Sequence, residues 1–365
     1  LPDNEPVCRA MTVAGTGTRT LLLCGYYGEN NLGDDALLLV LLQQIPAGFS
    51  LLITANDQEV LRALAPMADG VPRRSLGSVL AAVGRADALI LGGGSLLQDS
   101  TSLRSLIYYL LLIVTARIQR RPILLWGQGL GPLNRPTSRW LVRQVLPLCT
   151  AASWRDRSSL ERSSRWAPRL PAQMAPDPVW QMPPQSWSGG VSIVVCWRPT
   201  SLLDDSGWSV LLSALDDLAE QLQAPVRWLA FHQHQDAVLF DALKERGLIP
   251  ASLAARSSTI VPRSVETVFA TVRKARLVVP MRLHALILAR LTGCPMAALS
   301  YDPKVEAAAE MADVPWLKLD KLPTAASILS QWLAAADAPA DPQTIEQIRT
   351  QASAHGRMLE QFLQR

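Results

Sequence analysis

Three times in its first 132 residues the chain runs from an apolar stretch into glycines and then into an apolar, helix-like segment. Leu21 to Tyr26 leads into Tyr27-Gly28-Glu29-Asn30-Asn31-Leu32-Gly33-Asp34-Asp35, Ala88 to Leu91 into Gly92-Gly93-Gly94-Ser95, and Ile123 to Trp126 into Gly127-Gln128-Gly129-Leu130-Gly131-Pro132. Strand, glycine-rich turn, helix is the unit of a doubly wound α/β fold. It places all three turns on one edge of a parallel sheet, where such folds bind ligands. Gly25, Gly28 and Gly33 do not follow G-x-G-x-x-G spacing, so the first turn is no dinucleotide fingerprint. Leu51 to Thr54 and Ala151 to Trp154 read as further strands of the same sheet.

A second series follows Pro168 to Gly190, which carries six prolines, ends in two glycines and reads as an interdomain linker. Strands are expected at 191–197, 226–231, near Ile260, at 277–279 and at 296–300, with helices at 210–221, at 237–245 and after Arg282. A chain of 365 residues is too long for one ordinary core and suits two. The expected architecture is α/β, with two Rossmann-like domains facing across a cleft. Residues 1–18 are expected as a flexible lead-in, 19–175 as the first domain, 176–190 as the linker and 191–322 as the second domain. Residues 323–365 read as helices broken at 337–342, with the last returning to the first domain.

Composition removes several function classes. The net charge of +4 comes from 30 arginines and only five lysines, with no dense basic run, so nucleic-acid binding is not expected. Cys8, Cys24, Cys149, Cys196 and Cys294 are odd in number and mostly lie in apolar runs, as reduced core thiols do. Leu106 to Ala116 is the most apolar segment, but eleven residues fall short of the ~20 a membrane helix needs, so a buried helix is expected.

The candidate site residues lie at strand ends. In Pro280-Met281-Arg282-Leu283-His284-Ala285, Arg282 and His284 sit at a strand-to-helix junction, whose free N–H groups and helix dipole suit an anion. The same pattern also suits a helix with its histidine bonded inside the core. Asp34 and Asp35 suit either a helix start or a grip on sugar hydroxyls. Arg155 suits an anion clamp or a solvated surface. In His232-Gln233-His234-Gln235-Asp236, two histidines could converge on a metal. No second cluster completes a tetrahedral set, so the expectation is a loop in which Asp236 caps the next helix, and no metal site.

Taken in order, these segments resemble the polysaccharide pyruvyl transferase family, and most closely its bacterial cell-surface-anchoring branch. The resemblance rests on 25–36, 92–99 and 127–132, then Ser153-Trp154-Arg155-Asp156, Asp177-Pro178, Met281-Arg282-Leu283-His284-Ala285 and Ser300-Tyr301-Asp302-Pro303-Lys304-Val305. It implies a fold similar to the two-domain glycosyltransferase-B arrangement, with the acceptor side on the first domain and the donor side on the second. It implies transfer of pyruvate from phosphoenolpyruvate onto two hydroxyls of a sugar as a 4,6-cyclic ketal. The acceptor it suggests is a β-linked N-acetylmannosamine or similar hexosamine on a lipid-linked saccharide.

Carried over by position, the catalytic residues are Arg155, His284 and Lys304. Arg282 and Arg198 join Arg155 and Lys304 on the donor, and Asn31, Asp34, Asp35, Gln98, Asp99 and Gln128 face the acceptor. No cofactor or metal is implied beyond the phosphoenolpyruvate co-substrate. The resemblance also suggests a cytoplasmic enzyme visiting the inner membrane face, with Arg117, Arg120 and Arg121 as a contact to anionic lipid.

The chemistry agrees with the residue types. A carboxylate and a phosphate call for cations and helix N-termini, and protonating an enol carbon near neutral pH calls for a group such as histidine. Two other readings fit the same architecture, a nucleotide-sugar glycosyltransferase and a non-catalytic carbohydrate-binding scaffold.

Overall fold

The computed structural model describes residues 19–100 and 102–365, so the expected lead-in, with Cys8, lies outside the described residues. The first half reads β1 (Arg19–Tyr27), α1 (Leu32–Gln44), β2 (Phe49–Ala55), α2 (Gln58–Leu64), β3 (Asp69–Pro72), α3 (Leu76–Arg85), β4 (Ala88–Leu97) and α4 (Leu103–Ile118). It continues with β5 (Ile123–Leu130), α5 (Pro136–Val145), β6 (Ala151–Trp154), α6 (Arg157–Trp166) and β7 (Ala172–Met174). All seven strands pair in parallel in the order β3-β2-β1-β4-β5-β6-β7. Side chains of α3, α4 and α5 fill one face of this sheet, whereas α1 packs on the other.

A buried 3-10 turn at Pro178–Gln181 leads to the second half. There β8 (Ser192–Cys196), α7 (Asp205–Gln221), β9 (Val226–Leu229), the one-turn α8 (Gln233–Asp236), α9 (Leu239–Glu245), α10 (Ala251–Arg256) and β10 (Ser257–Ile260) are followed by α11 (Val265–Val272) and β11 (Ala275–Pro280). The parallel sheet runs β10-β9-β8-β11. Then come α12 (Leu283–Arg290), β12 (Ala298–Ser300), α13 (Pro303–Met311), β13 (Trp316–Lys318), α14 (Ala325–Ala336), α15 (Pro342–Ala352) and α16 (Ala354–Leu363).

Two expectations need correction. The glycines of 92–94 and 127–129 do not end their strands: β4 and β5 run on through them, because ladder pairs such as Gly92 with Trp126 and Gly94 with Gln128 continue the sheet. Glycine disfavours a strand locally, but here the pairing decides. The proline-rich segment is not a loose linker: Val179 and Trp180 are fully buried against a core containing residues of both halves, so the domains share an apolar seam. Two short edge strands, β3 and β7, of four and three residues, carry no apolar run long enough to mark a strand and escape a sequence reading. As the sequence implied, Leu106 to Ala116 lies within a helix whose inner face is buried, and Cys24, Cys149, Cys196 and Cys294 are buried free thiols.

The final helix crosses back to the first domain. α16 lies on β5 and β6, its Ala354 carbonyl accepts from Gln173, and Leu363 O accepts from Arg19 Nη1 at 2.7 Å. His355 is fully buried, bonded through Nε2 to Pro176 O at 2.8 Å, and burial pushes its pKa down to about 4.

Candidate active site

The strand ends of both sheets open onto one cavity of about 290 Å³. From the first domain it is lined by Asn31, Asp34, Gly94, Ser95, Gln98 and Arg155, and from the second by Phe231, Arg282, His284, Tyr301 and Lys304. Three helices begin at its wall. Asn31 caps α1 by accepting from Gly33 N at 3.2 Å, Arg282 precedes α12, and Asp302 caps α13 by accepting from Lys304 N at 2.9 Å. The cavity therefore collects three positive dipole ends, a setting for a negatively charged ligand.

The two domains meet along a backbone seam beside this cavity. Asn31 and His232 form an antiparallel bridge, Leu32 N donates to Phe231 O at 3.2 Å and Gln233 N to Asn30 O at 3.1 Å. Asp236 does not cap the following helix as its position implies. It accepts from His232 N at 2.8 Å and takes both Nε and Nη2 of Arg282, a partner 46 residues away that no local pattern reveals.

The cations are held unequally. Arg282 is neutralised by Asp236, so it serves as a strut between α8 and α12 more than as a free clamp. Arg155 Nη1 donates to Asp177 Oδ2 at 2.7 Å, with both side chains over nine-tenths buried. Lys304 forms no ion pair among the described residues; burial, reinforced by the charge of Arg155, lowers its pKa. Ser95 Oγ accepts from Arg155 Nη2 at 3.1 Å and from Lys304 Nζ at 3.0 Å, joining cations of opposite domains. With both lone pairs engaged, the Ser95 hydroxyl keeps its proton to donate elsewhere.

His284 sits at the centre. Its Nε2 lies 3.6 Å from the same Asp177 oxygen that Arg155 holds, just beyond hydrogen-bond reach, and is buried with no hydrogen-bond partner among the described residues. Burial alone would raise the pKa of Asp177. His284 first, then Arg155 and the Val179 N–H, outweigh that and hold it well below the usual carboxylate range. Asp177 thus couples the arginine and the histidine from inside the proline-rich segment. Its place in an Asp-Pro pair was the only sequence signal it offered.

Gly33 has a role the sequence did not suggest. A Cβ there would overlap the His284 imidazole at Nδ1, so only a hydrogen lets the ring reach the start of α1. Gly33→Ala suits the helix itself, yet it should displace the ring and lower turnover about 10²-fold. Steady-state kinetics beside a melting curve would check this; unchanged turnover with an intact fold would show that the ring's position is unimportant.

Asp34 faces the cavity, bonded by Asn31 Nδ2, and burial pushes its pKa up to about 6 despite the opposing charges of His284 and Arg155. A carboxyl whose folded value is raised costs stability once it ionises, so that cost grows as pH rises from about 4 to 6. Asp34→Asn should therefore melt higher than wild type near pH ~8, with the gain vanishing below pH ~4. A parallel pair of Tm-against-pH curves tests this.

Four of the expected site residues do not line the cavity. Asp35 is buried behind Asp34, with a pKa pushed up to about 7 by burial and by its neighbour. Asp99 accepts from Asn134 N at 2.7 Å and Arg135 N at 2.9 Å, securing the approach to α5. Gln128 is fully buried and braces the glycine segment, with Oε1 accepting from Leu96 N and Nε2 donating to Leu91 O and Gly93 O. Arg198 lies behind Tyr301, stacked 4.8 Å from its ring and donating to its hydroxyl.

Residues 31–303 match the family described as Polysaccharide pyruvyl transferase. No curated protein sequence matches the chain. Among solved structures, the chain is similar to a putative UDP-N-acetylglucosamine 2-epimerase from Listeria monocytogenes (14% identity, TM-score 0.62, covering 93% of this chain and 95% of that one). It is also similar to UDP-GlcNAc 2-epimerase from Neisseria meningitidis bound to UDP-GlcNAc (14%, TM-score 0.60, 95% and 100%) and to Anabaena Alr3699/HepE in complex with UDP and glucose (11%, TM-score 0.61, 95% and 99%). At such identities the likeness is one of fold, the glycosyltransferase-B-like pairing of two Rossmann-like domains.

Proposed function

The chain belongs to the polysaccharide pyruvyl transferase family, and from that premise we propose that it moves pyruvate from phosphoenolpyruvate onto two hydroxyls of a saccharide as a cyclic ketal, releasing phosphate. The observation that carries this reading is the meeting of three helix N-termini with Arg155, Lys304 and His284 in one cavity. Phosphoenolpyruvate is small and carries both a carboxylate and a phosphate, the anions such a wall accepts. Lys304, Arg155 and the Ser95 hydroxyl bind the donor. His284, with Asp177 beside its ring, gives a proton to the methylene carbon while an acceptor hydroxyl adds to the neighbouring carbon.

Asp34 takes the proton of that hydroxyl. Its raised pKa suits a base working near neutrality. The C–O bond to phosphate then breaks, the second hydroxyl forms a C–O bond to the same carbon and closes the ring, and its proton leaves on the released phosphate. The acceptor we propose is a hexosamine such as β-linked N-acetylmannosamine on a lipid-linked saccharide, engaged at its 4 and 6 hydroxyls beside Asn31, Asp34 and Gln98.

Donor choice is the decisive experiment. Phosphoenolpyruvate at about 100 times its Kd should stabilise the folded protein by about 2.7 kcal/mol and raise Tm, whereas UDP-sugars should leave it unchanged. Stabilisation by a UDP-sugar alone would favour a glycosyltransferase. Phosphate release without acceptor dependence would also count against the reading.

A further inference from the structure

From Ser100 to Arg155 the sequence contains eight arginines and not one aspartate or glutamate, so the rest of a chain of net charge +4 is net acidic. The structure gathers much of this stretch on one surface. α4 and α5 pack side by side on the same face of the first sheet. Along α4, Ile107, Leu111 and Ile118 follow helical spacing on the side away from the core; Ile107 and Ile118 are 47% and 76% exposed and Leu111 partly so, while Val114 at the edge of this stripe packs partly against the core. On α5, Trp140 is 62% exposed between the exposed Arg139 and Arg143, while Arg117 and Arg120 stand exposed around Ile118.

An exposed apolar stripe with an indole, rimmed by arginines on helices that carry no carboxylate of their own, has the character of a surface that lies in a membrane interface. We propose that the outer α4/α5 face of the first domain docks on an anionic lipid surface. A second copy of this chain is the poorer occupant, because a twofold pairing would set arginine rims against each other. The face is also suitably placed. α4 and α5 both start at the strand ends that form the cavity, so a domain lying on this face presents the cleft rim close to the lipid surface. The contact at Arg117 and Arg120 expected from sequence becomes one end of this larger surface, whereas Arg121 is turned to Asp87 at 3.4 Å. Beside the first turn of α4, a cavity of about 600 Å³ lined by Arg73, Arg74, Arg104 and Tyr108 offers room for a headgroup, with Arg73 and Arg74 held by Glu29 and Arg104 the cation turned to it.

The inference rests on the proposed function only in that the acceptor there is lipid-linked, and it is tested without donor or acceptor. The full chain is mixed with vesicles of phosphatidylcholine alone or with about one third phosphatidylglycerol and sedimented at low and high salt. Binding is expected only with phosphatidylglycerol and should weaken with salt. Each arginine contributes about fivefold to partitioning, so Arg139→Glu/Arg143→Glu should lower it by more than tenfold. Trp140→Ser and Ile118→Ser, both at exposed positions, should each lower it severalfold with Tm retained. Equal sedimentation with both vesicle types, wild-type binding by the arginine variant, or no binding accompanied by self-association that Ile118→Ser abolishes would each overturn the proposal.

Discussion

Replacing His284 with glutamine is expected to lower turnover by ~10²–10⁴ while donor affinity changes little. Glutamine keeps similar size and can hydrogen-bond to Asp177, but it has no proton to deliver to carbon near neutral pH. The cavity's attraction for an anion would survive, because Arg155, Lys304 and the three helix starts are untouched. A single-turnover measurement with labelled phosphoenolpyruvate separates the two quantities. Turnover within a few-fold of wild type in a folded variant would leave His284 as a structural residue and send the search for the acid elsewhere.

Asp177→Ala is expected to destabilise the fold by about 3–5 kcal/mol, the usual cost of stripping one partner from a buried ion pair. Arg155 would be left with its charge over nine-tenths buried and, among the described residues, Ser95 as its remaining side-chain hydrogen-bond partner. Because the Asp177 carboxyl is held below its ordinary range, its contribution is present at neutral pH and is lost in acid as pH falls from about 4 through its folded value. Asp177→Ala should therefore differ most from wild type near neutrality and least in strong acid. A double variant, Arg155→Met/Asp177→Val, should recover much of the stability, since replacing both charges by apolar groups is often neutral. It should not recover turnover. Chemical denaturation of the two variants beside wild type would decide, and a double variant as unstable as Asp177→Ala would contradict the ion-pair account.

Much of the layout could be read beforehand because it obeys local rules. Strand, glycine turn and helix recur at 21–43, 88–116 and 123–145, and parallel α/β topology sends all their strand ends to one side. That alone brings Asp34, Ser95 and Arg155 within reach of one ligand, and the same logic in the second half delivers His284 and Lys304. What escaped was set by distant partners. Asp236 looks like a cap until Arg282 arrives from another element. Asp177 sits among prolines that read as linker, and only the packing of Trp180 and Val179 shows that the segment is core. Gly33 looked like one more turn glycine, although its lack of a side chain is explained by a ring 251 residues later. Polar residues placed in the site by analogy, such as Gln128 and Asp99, turned out to hold up its walls.

The return of α16 to the first sheet also bears on how the protein is made. Ala354 accepts from Gln173 across 181 residues, and Met358, Leu359 and Phe362 join the core beneath β5. During synthesis, the first domain therefore leaves the ribosome with the β5–β6 part of one face uncovered, and that part stays so until the second domain has followed. Contacts of such separation are slow to form, and the waiting apolar face is exposed to aggregation. The first domain is thus a poor candidate for folding early and alone, and its fate in the cell depends on how quickly the last helix is delivered.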